Sequence, residues 1–263
     1  MNSSEVIKVF KIGGNVVDSP EALARFVSDF SQIQGKKILV HGGGKEATRL
    51  SEKLGIETKM IDGRRVTDSD TIDVVTMVYA GLINKRIVAL LQARSLDAIG
   101  LTGADADVIR AVKRAANPID FGYVGDISPD GVNAGFISRL IDEGIVPVFC
   151  AIMHDGSGTL LNCNADGVAS AIAVALAQSG KKVELIYCFE KDGVLRDIDN
   201  PSSLISEIDN ASYASLRSQG VINKGMIPKI ENAFKAIRQG VASVTIKNSS
   251  NIANSTGTTI SAS

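Results

Sequence analysis

The first residues that could do chemistry are a lysine and two glycines, in the run Lys11-Ile12-Gly13-Gly14. Ile7 to Ile12 is rich in β-branched and aromatic residues, which predicts a buried strand that ends beside Lys11. The glycines allow a sharp turn, and Ser19-Pro20-Glu21 has the residue types that begin a helix. A strand end, a glycine turn and a helix N-terminus together suit an anion, and the lysine suggests phosphate. An ordinary strand-to-helix turn explains the same pattern, because short glycine motifs recur by chance.

A second buried strand, Lys37 to His41, ends in the three glycines Gly42 to Gly44. Neither glycine loop has the Gly-x-x-x-x-Gly-Lys-[Ser/Thr] pattern, nor Gly-x-Gly-x-x-Gly with its following acid. The absence of both patterns weakens the interpretations as a Walker-type NTPase or a dinucleotide dehydrogenase. The candidates that remain are the loop amides and three cations, Lys11, Arg65 and Lys229.

Lysines and glycine amides suit phosphoryl transfer, which mainly needs positioning and neutralisation of charge. The chain has only two histidines, His41 and His154, so it offers few side chains for histidine-based catalysis or for a cluster that binds metal. A carboxylate acceptor would need no general base, because it is already ionised at neutral pH. A transfer of phosphoryl to carboxylate would therefore account for the scarcity of histidine.

Each candidate also has an ordinary interpretation. Arg65 in a turn and Lys229 on a helix could be solvated charges. Asp166, after Asn162 and Asn164, could cap the alanine-rich helix that follows it. His41 could be a hydrogen-bonded histidine at a strand end, and nothing indicates that Cys163 is activated.

Composition and charge exclude several classes of protein. The 263 residues have a formal net charge of −1, so nothing points to nucleic acid. The apolar runs Ile145 to Met153 and Val168 to Ala177 are about half the ~20 residues that span a bilayer. We see no signal peptide and expect a cytoplasmic protein. The cysteines, Cys150, Cys163 and Cys188, lack paired spacing and fit free thiols.

Strand and helix patterns alternate along the chain with short turns. This alternation predicts an open, mostly parallel α/β sheet sandwiched between helices, with ligands at the carboxyl ends of the strands. The chain is long enough for two lobes, and we set a weakly marked boundary near Gly180, giving residues 1–180 and 181–263. The other predicted elements are a hairpin at Glu57 to Thr67, a long helix at Asp68 to about Ser95, a strand near Val108 to Val112, a second hairpin at Phe121 to Asp126, a continuous strand at Ile145 to Ile152, a helix at Gly225 to Arg238 and a tail that is either disordered or a strand at Thr256 to Ile260.

Five short motifs, in the order in which they occur along the chain, together resemble those of a known family. The chain resembles the amino acid kinase family over nearly its whole length, and five ordered motifs are far more specific than any one. The motifs are Lys11-Ile12-Gly13-Gly14, Val40-His41-Gly42-Gly43-Gly44, Gly63-Arg64-Arg65-Val66-Thr67, Asn162-Cys163-Asn164-Ala165-Asp166 and Gly225-Met226-Ile227-Pro228-Lys229.

The resemblance implies roles for individual residues. Lys11 and Lys229 look like the lysines that neutralise the transferring phosphoryl group, and Asp166 like the carboxylate that holds them. The residues that resemble the acyl-amino-acid site are Gly43, Gly44, Arg65 and Asn162. Those that resemble the nucleotide side are Gly13, Gly14, Glu190, Lys191, Asp192, Gly193, Leu195, Ile222 and Asn223.

Within the family, the motifs look most like those of the members that phosphorylate the side-chain carboxylate of N-acetyl-glutamate. That likeness implies ATP and Mg²⁺ as cofactors, an acyl phosphate product in arginine or ornithine synthesis, and a homodimer formed by the N-terminal lobe, with ATP on the C-terminal lobe. The chain lacks the N-terminal helical extension of hexameric, arginine-inhibited relatives, so we expect a dimer insensitive to arginine.

Two substitutions depart from the family pattern. Phe189-Glu190 stands where a Thr-Asp pair is usual, which leaves the base and ribose contacts open, and Cys163 replaces an aliphatic residue. The acyl group is also open, since N-succinyl-glutamate could use the same glycine loop, arginine and asparagine. A kinase of N-acyl-aminoadipate or of free glutamate would fit the same motifs, and so would a sensor that binds amino acid or nucleotide without turnover.

Overall fold

A computed structural model describes residues 5–197, 199–222 and 226–262. Asn223 and Gly225, which two of the sequence predictions include, lie outside these ranges. The strands are β1 (Ile7–Ile12), β2 (Lys37–His41), β3 (Met60–Ile61), β4 (Arg64–Arg65), β5 (Ala98–Leu101), β6 (Ile109–Lys113), β7 (Gly125–Val132), β8 (Val146–Phe149), β9 (Ile152–His154), β10 (Leu160–Asn162), β11 (Val183–Phe189), β12 (Val194–Leu195), β13 (Leu204–Ile205), β14 (Glu207–Ile208), β15 (Ser243–Asn248) and β16 (Thr258–Ile260).

The α-helices are α1 (Gly14–Val17), α2 (Pro20–Gln32), α3 (Gly44–Lys53), α4 (Ser69–Thr76), α5 (Asn84–Gln92), α6 (Ala134–Asp142), α7 (Ala165–Gln178), α8 (Asn210–Ser218) and α9 (Ile227–Arg238). A π-helical segment, Met77–Ile83, joins α4 to α5, and short 3₁₀ turns lie at Asp105–Asp107 and Pro201–Ser203. Ser19 caps α2 as its sequence predicts, with its hydroxyl accepting a bond from Ala22 N at 3.2 Å.

The main sheet has eight strands in the order β14-β16-β15-β11-β1-β2-β8-β5. Every neighbouring pair is parallel except β15 and β16, which are antiparallel. The prediction of an open, mostly parallel sheet is therefore confirmed. The strand β1 lies at the centre between β2 and β11, so the sheet continues across the two predicted lobes. A second sheet, in the order β10-β9-β6-β7, adjoins the carboxyl ends of β5 and β8.

Helices cover both faces of the main sheet. Alternate residues of β1 point to opposite sides, so each side contributes to a different core. Ile7 and Val9 belong to the core that includes α6, α7 and α9. Phe10 and Ile12 belong to the other core, with α2, α4 and α5. Lys11, an odd-numbered residue like Ile7 and Val9, therefore points to the side of α7.

Two sequence predictions of strands are wrong. Ile145 to Ile152 is not one strand: β8 ends at Phe149, and β9 begins at Ile152 in the other sheet. The whole stretch is apolar because it is buried nearly throughout, so periodicity could not reveal the change of sheet. Phe121 to Asp126 is not a hairpin either. Gly125 starts β7, which pairs with β6 instead.

The remaining element boundaries lie closer to the predicted ones. The long helix ends at Gln92 and contains the π-helical segment, which sequence patterning did not predict. The tail does form a strand, β16, against β15. In the described part of the chain, Ser69–Gln92 is the one helix long and apolar enough to cross a membrane. Many of its apolar residues, including Val75 and Ile87, pack into the protein core.

Candidate active site

Lys11 and Asp166 form an ion pair at the carboxyl end of the central strand. Lys11 lies at the end of β1 with only 8% of its surface exposed, and its Nζ lies 2.7 Å from Asp166 Oδ1 in the first turn of α7. The N-cap of α7 is Asn164, whose side-chain oxygen accepts bonds from Asp166 N at 2.8 Å and Gly167 N at 3.3 Å. Since Asn164 takes the capping role, the carboxylate of Asp166 is available to hold the lysine.

Lys229 approaches the same place from the first turn of α9. Its Nζ lies 3.8 Å from the centre of the Phe189 ring, and Lys11 Nζ lies 5.6 Å from that centre. Burial lowers the pKa of Lys229; Asp166 opposes this lowering, and the positive charge of Lys11 adds to it. The sequence therefore brings two ammonium groups beside one carboxylate, which leaves a local excess of positive charge suited to a phosphoryl group.

The two glycine loops lie side by side because β1 and β2 are neighbours. Gly42 N donates to Ile12 O at 3.3 Å, which joins the ends of the two strands. Gly13 is the N-cap of α1, and Gly43 that of α3. A Cβ on Gly43 would lie 2.3 Å from Ile83 Cδ1, so this close packing favours glycine. The N–H groups that start α3 have no intrahelical partner and can bind an anion.

Arg65 lies in the wall of a cavity of about 220 Å³ beside the second glycine loop. Arg65 is 7% exposed, and its Nη2 donates to Gly44 O at 2.8 Å and to Thr48 Oγ1 at 2.7 Å. Its Nη1 donates to Thr58 Oγ1 at 3.2 Å. Arg65 is therefore a buried, fixed cation and not the solvated charge that its turn also allowed.

Asn162 lies in the wall of the same cavity. Its Nδ2 donates to Thr67 Oγ1 at 3.1 Å, and its backbone N to Tyr123 O at 2.8 Å. Cys163 also lines this cavity, but burial raises its pKa to about 12, so it is not an activated thiol. The cavity joins the second glycine loop to the segment that leads into Asp166.

Phe189 lies in the wall of a larger cavity of about 540 Å³. Four of the predicted nucleotide residues line it: Glu190, Lys191, Gly193 and Leu195. Lys229 also lines it, which connects this cavity to the pair of Lys11 and Asp166.

Several predicted nucleotide residues do not line this cavity. Ile222 is buried in the core at 3% exposure, and Asp192 accepts a bond from Asn251 Nδ2 at 3.0 Å. Gly13 lies beside Lys11 and Gly14 beside Asp18, and neither lies in the cavity wall. Sequence analysis missed Asn15, Arg196 and Val221, which do line it. Asn15 directly follows the glycine pair and could have been included on that ground.

The described residues contain no group of three or more His, Cys, Asp or Glu side chains that could hold a metal ion. Asp166, the acidic residue beside the two lysines, is paired with Lys11. A divalent ion would therefore take most of its oxygen ligands from nucleotide phosphates and water, as Mg²⁺ often does.

The chain is similar to known proteins in both sequence and fold. The model of the amino acid kinase family matches residues 7–248. The chain belongs to the amino acid kinase family. Among curated relatives, the acetylglutamate kinase of Phocaeicola vulgatus is 52% identical over 256 residues, covering 97% of this chain and 98% of the relative. That of Cytophaga hutchinsonii is 54% identical over 239 residues, covering 90% and 89%. The acetylglutamate kinase of Methanopyrus kandleri is 38% identical, covering 97% and 100%.

Solved structures agree on the amino acid kinase fold. The protein smu.665 of Streptococcus mutans has a TM-score of 0.78 at 29% identity, with 98% of this chain and 99% of that chain covered. The carbamate kinase of Giardia has a TM-score of 0.71 at 13% identity, with both chains fully covered, and supports the fold alone. The family and the fold that the five motifs predicted are thus confirmed.

Proposed function

We propose that the chain transfers the γ-phosphoryl group of ATP to the side-chain carboxylate of N-acetyl-L-glutamate. The observation that carries the proposal is the cluster of Lys11, Asp166 and Lys229. Lys229 lies in the wall of the cavity beside Phe189, and Asn164, two residues before Asp166, lies in the wall of the cavity beside Arg65. The likeness to acetylglutamate kinases over nearly the whole chain supports this choice of substrate. The product would be an acyl phosphate used in arginine or ornithine synthesis.

In this reaction a carboxylate oxygen of the acceptor bonds to the γ-phosphorus while the bond from that phosphorus to the ADP oxygen breaks. No proton has to leave the acceptor, because its carboxylate is ionised at neutral pH. Lys11 and Lys229 neutralise the charge that spreads over the phosphoryl oxygens, and Asp166 keeps Lys11 in place. Transfer therefore depends on charge and position, which matches a site without a histidine base.

We assign the remaining roles by cavity. At the smaller one, Gly44 in the wall and the adjacent Gly43 offer backbone N–H groups, Arg65 binds the α-carboxylate, and Asn162 binds the acyl amide. In the larger one, Glu190, Lys191, Gly193 and Leu195 contact the nucleotide. Mg²⁺ enters with the phosphates of ATP. Residues 1–180 form the lobe that binds the acyl amino acid and residues 181–263 the lobe that binds ATP.

A homodimer is part of the proposal. Met77 and Leu82 are large apolar residues on the helical segment Ser69–Gln92, and they are 53% and 43% exposed. Ile99, on the edge strand β5, is 38% exposed. Apolar residues exposed at the sheet edge of the N-terminal lobe support pairing with a second copy there. We also propose that the enzyme acts in the cytoplasm and is not inhibited by arginine. Sedimentation as a hexamer, or inhibition at low arginine concentration, would contradict these expectations.

A second candidate substrate is N-succinyl-L-glutamate. Arg64 and Arg114 line the smaller cavity in addition to Arg65, and Asp126 is paired with Arg114. Arg114 is thus already neutralised. Acetyl is uncharged and offers Arg64 no partner, whereas the terminal carboxylate of succinyl could pair with it. The presence of Arg64 in the wall favours N-succinyl-glutamate over N-acyl-aminoadipate and free glutamate as the second candidate.

A hydroxylamine trap tests the reaction. Purified protein, MgATP and one acid are incubated, and the acyl hydroxamate is measured for N-acetyl-glutamate, N-succinyl-glutamate, N-acetyl-aminoadipate and free glutamate in parallel. Hydroxamate from the first acid alone supports the proposal. Hydroxamate from the second alone assigns the succinyl group, and Arg64→Gln and Arg114→Gln then identify the arginine involved. Intact ATP binding without any hydroxamate would instead indicate a sensor.

A further inference from the structure

His41 is a buried side chain to which the proposed chemistry gives no task. It ends β2 immediately before the second glycine loop and is fully buried. Its ring Nδ1 lies 2.8 Å from the carbonyl oxygen of Gly42. A carbonyl oxygen can only accept, so Nδ1 carries the proton and donates it to this bond. The histidine thus holds a backbone group of the glycine loop itself.

The second ring nitrogen is held by Asn84. Asn84 Nδ2 lies 3.1 Å from His41 Nε2 and donates to it, and the same amide donates to Val148 O at 2.9 Å. Lys85 Nζ donates to Asn84 Oδ1 at 3.2 Å. Asn84 is 1% exposed and begins α5 directly after the π-helical segment. His41 and Asn84 therefore connect the glycine loop, β8 and the long helix through hydrogen bonds in which each donor and acceptor is defined.

The π-helical segment meets the glycine loop from another side. Ile83 and Tyr79 lie so close to Gly43 that a Cβ there would be 2.3 Å from Ile83 Cδ1 and 3.1 Å from Tyr79 Cδ1. Arg65 binds the carbonyl of Gly44 at 2.8 Å. Side chains thus hold the carbonyl groups of both Gly42 and Gly44. The Gly42 carbonyl shares its peptide plane with the N–H of Gly43, and the Gly44 carbonyl shares its plane with the N–H of Lys45. The planes on both sides of the Gly43–Gly44 peptide are therefore held.

We propose that His41 and Asn84 are positioning residues that orient the N–H group of Gly43, in the peptide plane that His41 holds, toward the transferring phosphoryl group and its acceptor. His41 is not a general base in this assignment, because its proton is donated to Gly42 and its lone pair is bound by Asn84. Burial lowers the pKa of His41 to about 4, so the neutral ring with a proton on Nδ1 persists at neutral pH. The inference rests on the proposed kinase reaction and adds the source of its loop geometry.

Two substitutions at His41 separate positioning from simple packing. His41→Asn places an amide N–H close to where Nδ1 lies and keeps the donor to Gly42, whereas His41→Leu fills the space without a donor. We expect His41→Leu to lower kcat for hydroxamate formation on the order of 10-fold or more, with the KM for ATP unchanged. His41→Asn should recover most of that loss. His154→Gln, which removes the second histidine of the chain, is the matched control and should leave kcat unchanged.

The ring tautomer gives a measurement that does not need turnover. A long-range ¹H–¹⁵N spectrum separates the two neutral tautomers, and His154→Gln assigns the signals because the chain has only two histidines. A proton on Nδ1 of His41 from pH 6 to 8 is expected. A proton on Nε2, or a charged ring, would overturn the inference even if His41→Leu failed to fold.

Equal kcat in the wild type and a folded His41→Leu variant would overturn the positioning role while leaving the proposed reaction intact. Absence of hydroxamate from the wild type with every acid would instead overturn the proposed reaction and, with it, this role.

Discussion

The Nζ of Lys11 lies 2.7 Å from Oδ1 of Asp166, although one residue lies at the end of the first strand and the other begins a helix far along the chain. The contact arises because Lys11 points to the face of the sheet that α7 covers, and α7 starts at the carboxyl end of β1. Such a pair keeps a cation fixed before the substrate arrives, so it need not be reorganised during transfer.

Loss of the Lys11 cation should therefore reduce transfer and not folding. We expect Lys11→Ala to lower kcat ~10²-fold or more in the hydroxamate assay, since a charge that stabilises the transition state is removed. Lys8→Ala is the matched control, because Lys8 lies on the same strand but on the opposite face. Wild-type turnover in Lys11→Ala would show that Lys11 does not contact the phosphoryl group.

Substitution of Arg65, whose planar guanidinium makes several hydrogen bonds, should have a different kinetic effect. Arg65→Lys keeps the charge but cannot bond Gly44 O, Thr48 and Thr58 together, because lysine has no planar fork. We expect the KM for the acyl amino acid to rise about 10-fold, since one strong charged hydrogen bond contributes roughly 1.5–3 kcal/mol. The KM for ATP should stay the same. Arg49→Lys, on the exposed face of α3, serves as the control, and an equal rise for both substrates would contradict the assignment.

Gly43 should tolerate no side chain. Gly43→Ala would place a Cβ 2.3 Å from Ile83 Cδ1, so the Ile83 side chain, its helix or the loop must shift. Overpacking of this kind lowers the free energy of unfolding by about 1–3 kcal/mol. Denaturant unfolding measures the change. Gly81→Ala, where no atom lies within 4 Å, is the comparison and should keep wild-type stability. Equal stability of the two variants would mean that the loop does not pack tightly against the π-helical segment.

Because His41 is buried, the folded protein should lose stability in mild acid. Burial lowers its pKa from 6.5 to about 4, so between these values the unfolded chain binds a proton that the folded chain does not. The stabilisation is therefore complete above pH 6.5 and is lost as the pH falls toward 4, by about 3 kcal/mol in total. Unfolding of wild type and His41→Asn at several pH values measures the contribution. Parallel curves for the two proteins would contradict a neutral, buried His41.

The sequence by itself was enough to predict several elements that carry the site. Short apolar runs predicted β1 and β2, and Ser19 with Pro20 predicted the start of α2. These are local properties, because strand pattern and helix caps depend on neighbouring residues. The ordered motifs also determined the family.

The same local signals failed where burial or partners came from a distance. The run from Ile145 to Ile152 is apolar throughout, so nothing in it marks the change of sheet between β8 and β9. Gly125 extends β7 because β6 pairs with it, and the turn residues before it predicted a hairpin of their own. The π-helical segment likewise packs Tyr79 and Ile83 against Gly43, a contact that no spacing along the helix displays.

Tertiary structure alone decided what each polar residue binds. From the sequence, Arg65 could have been solvated, Asp166 could have capped its helix, and His41 could have been a simple buried histidine. Folding buries Arg65 beside Gly44, gives the cap to Asn164 so that Asp166 holds Lys11, and joins His41 to Asn84. Residue type and spacing determine which charges and donors the chain offers. The fold determines their partners, because the energy of a polar group depends on whether a distant segment shields it from water and satisfies its hydrogen bonds.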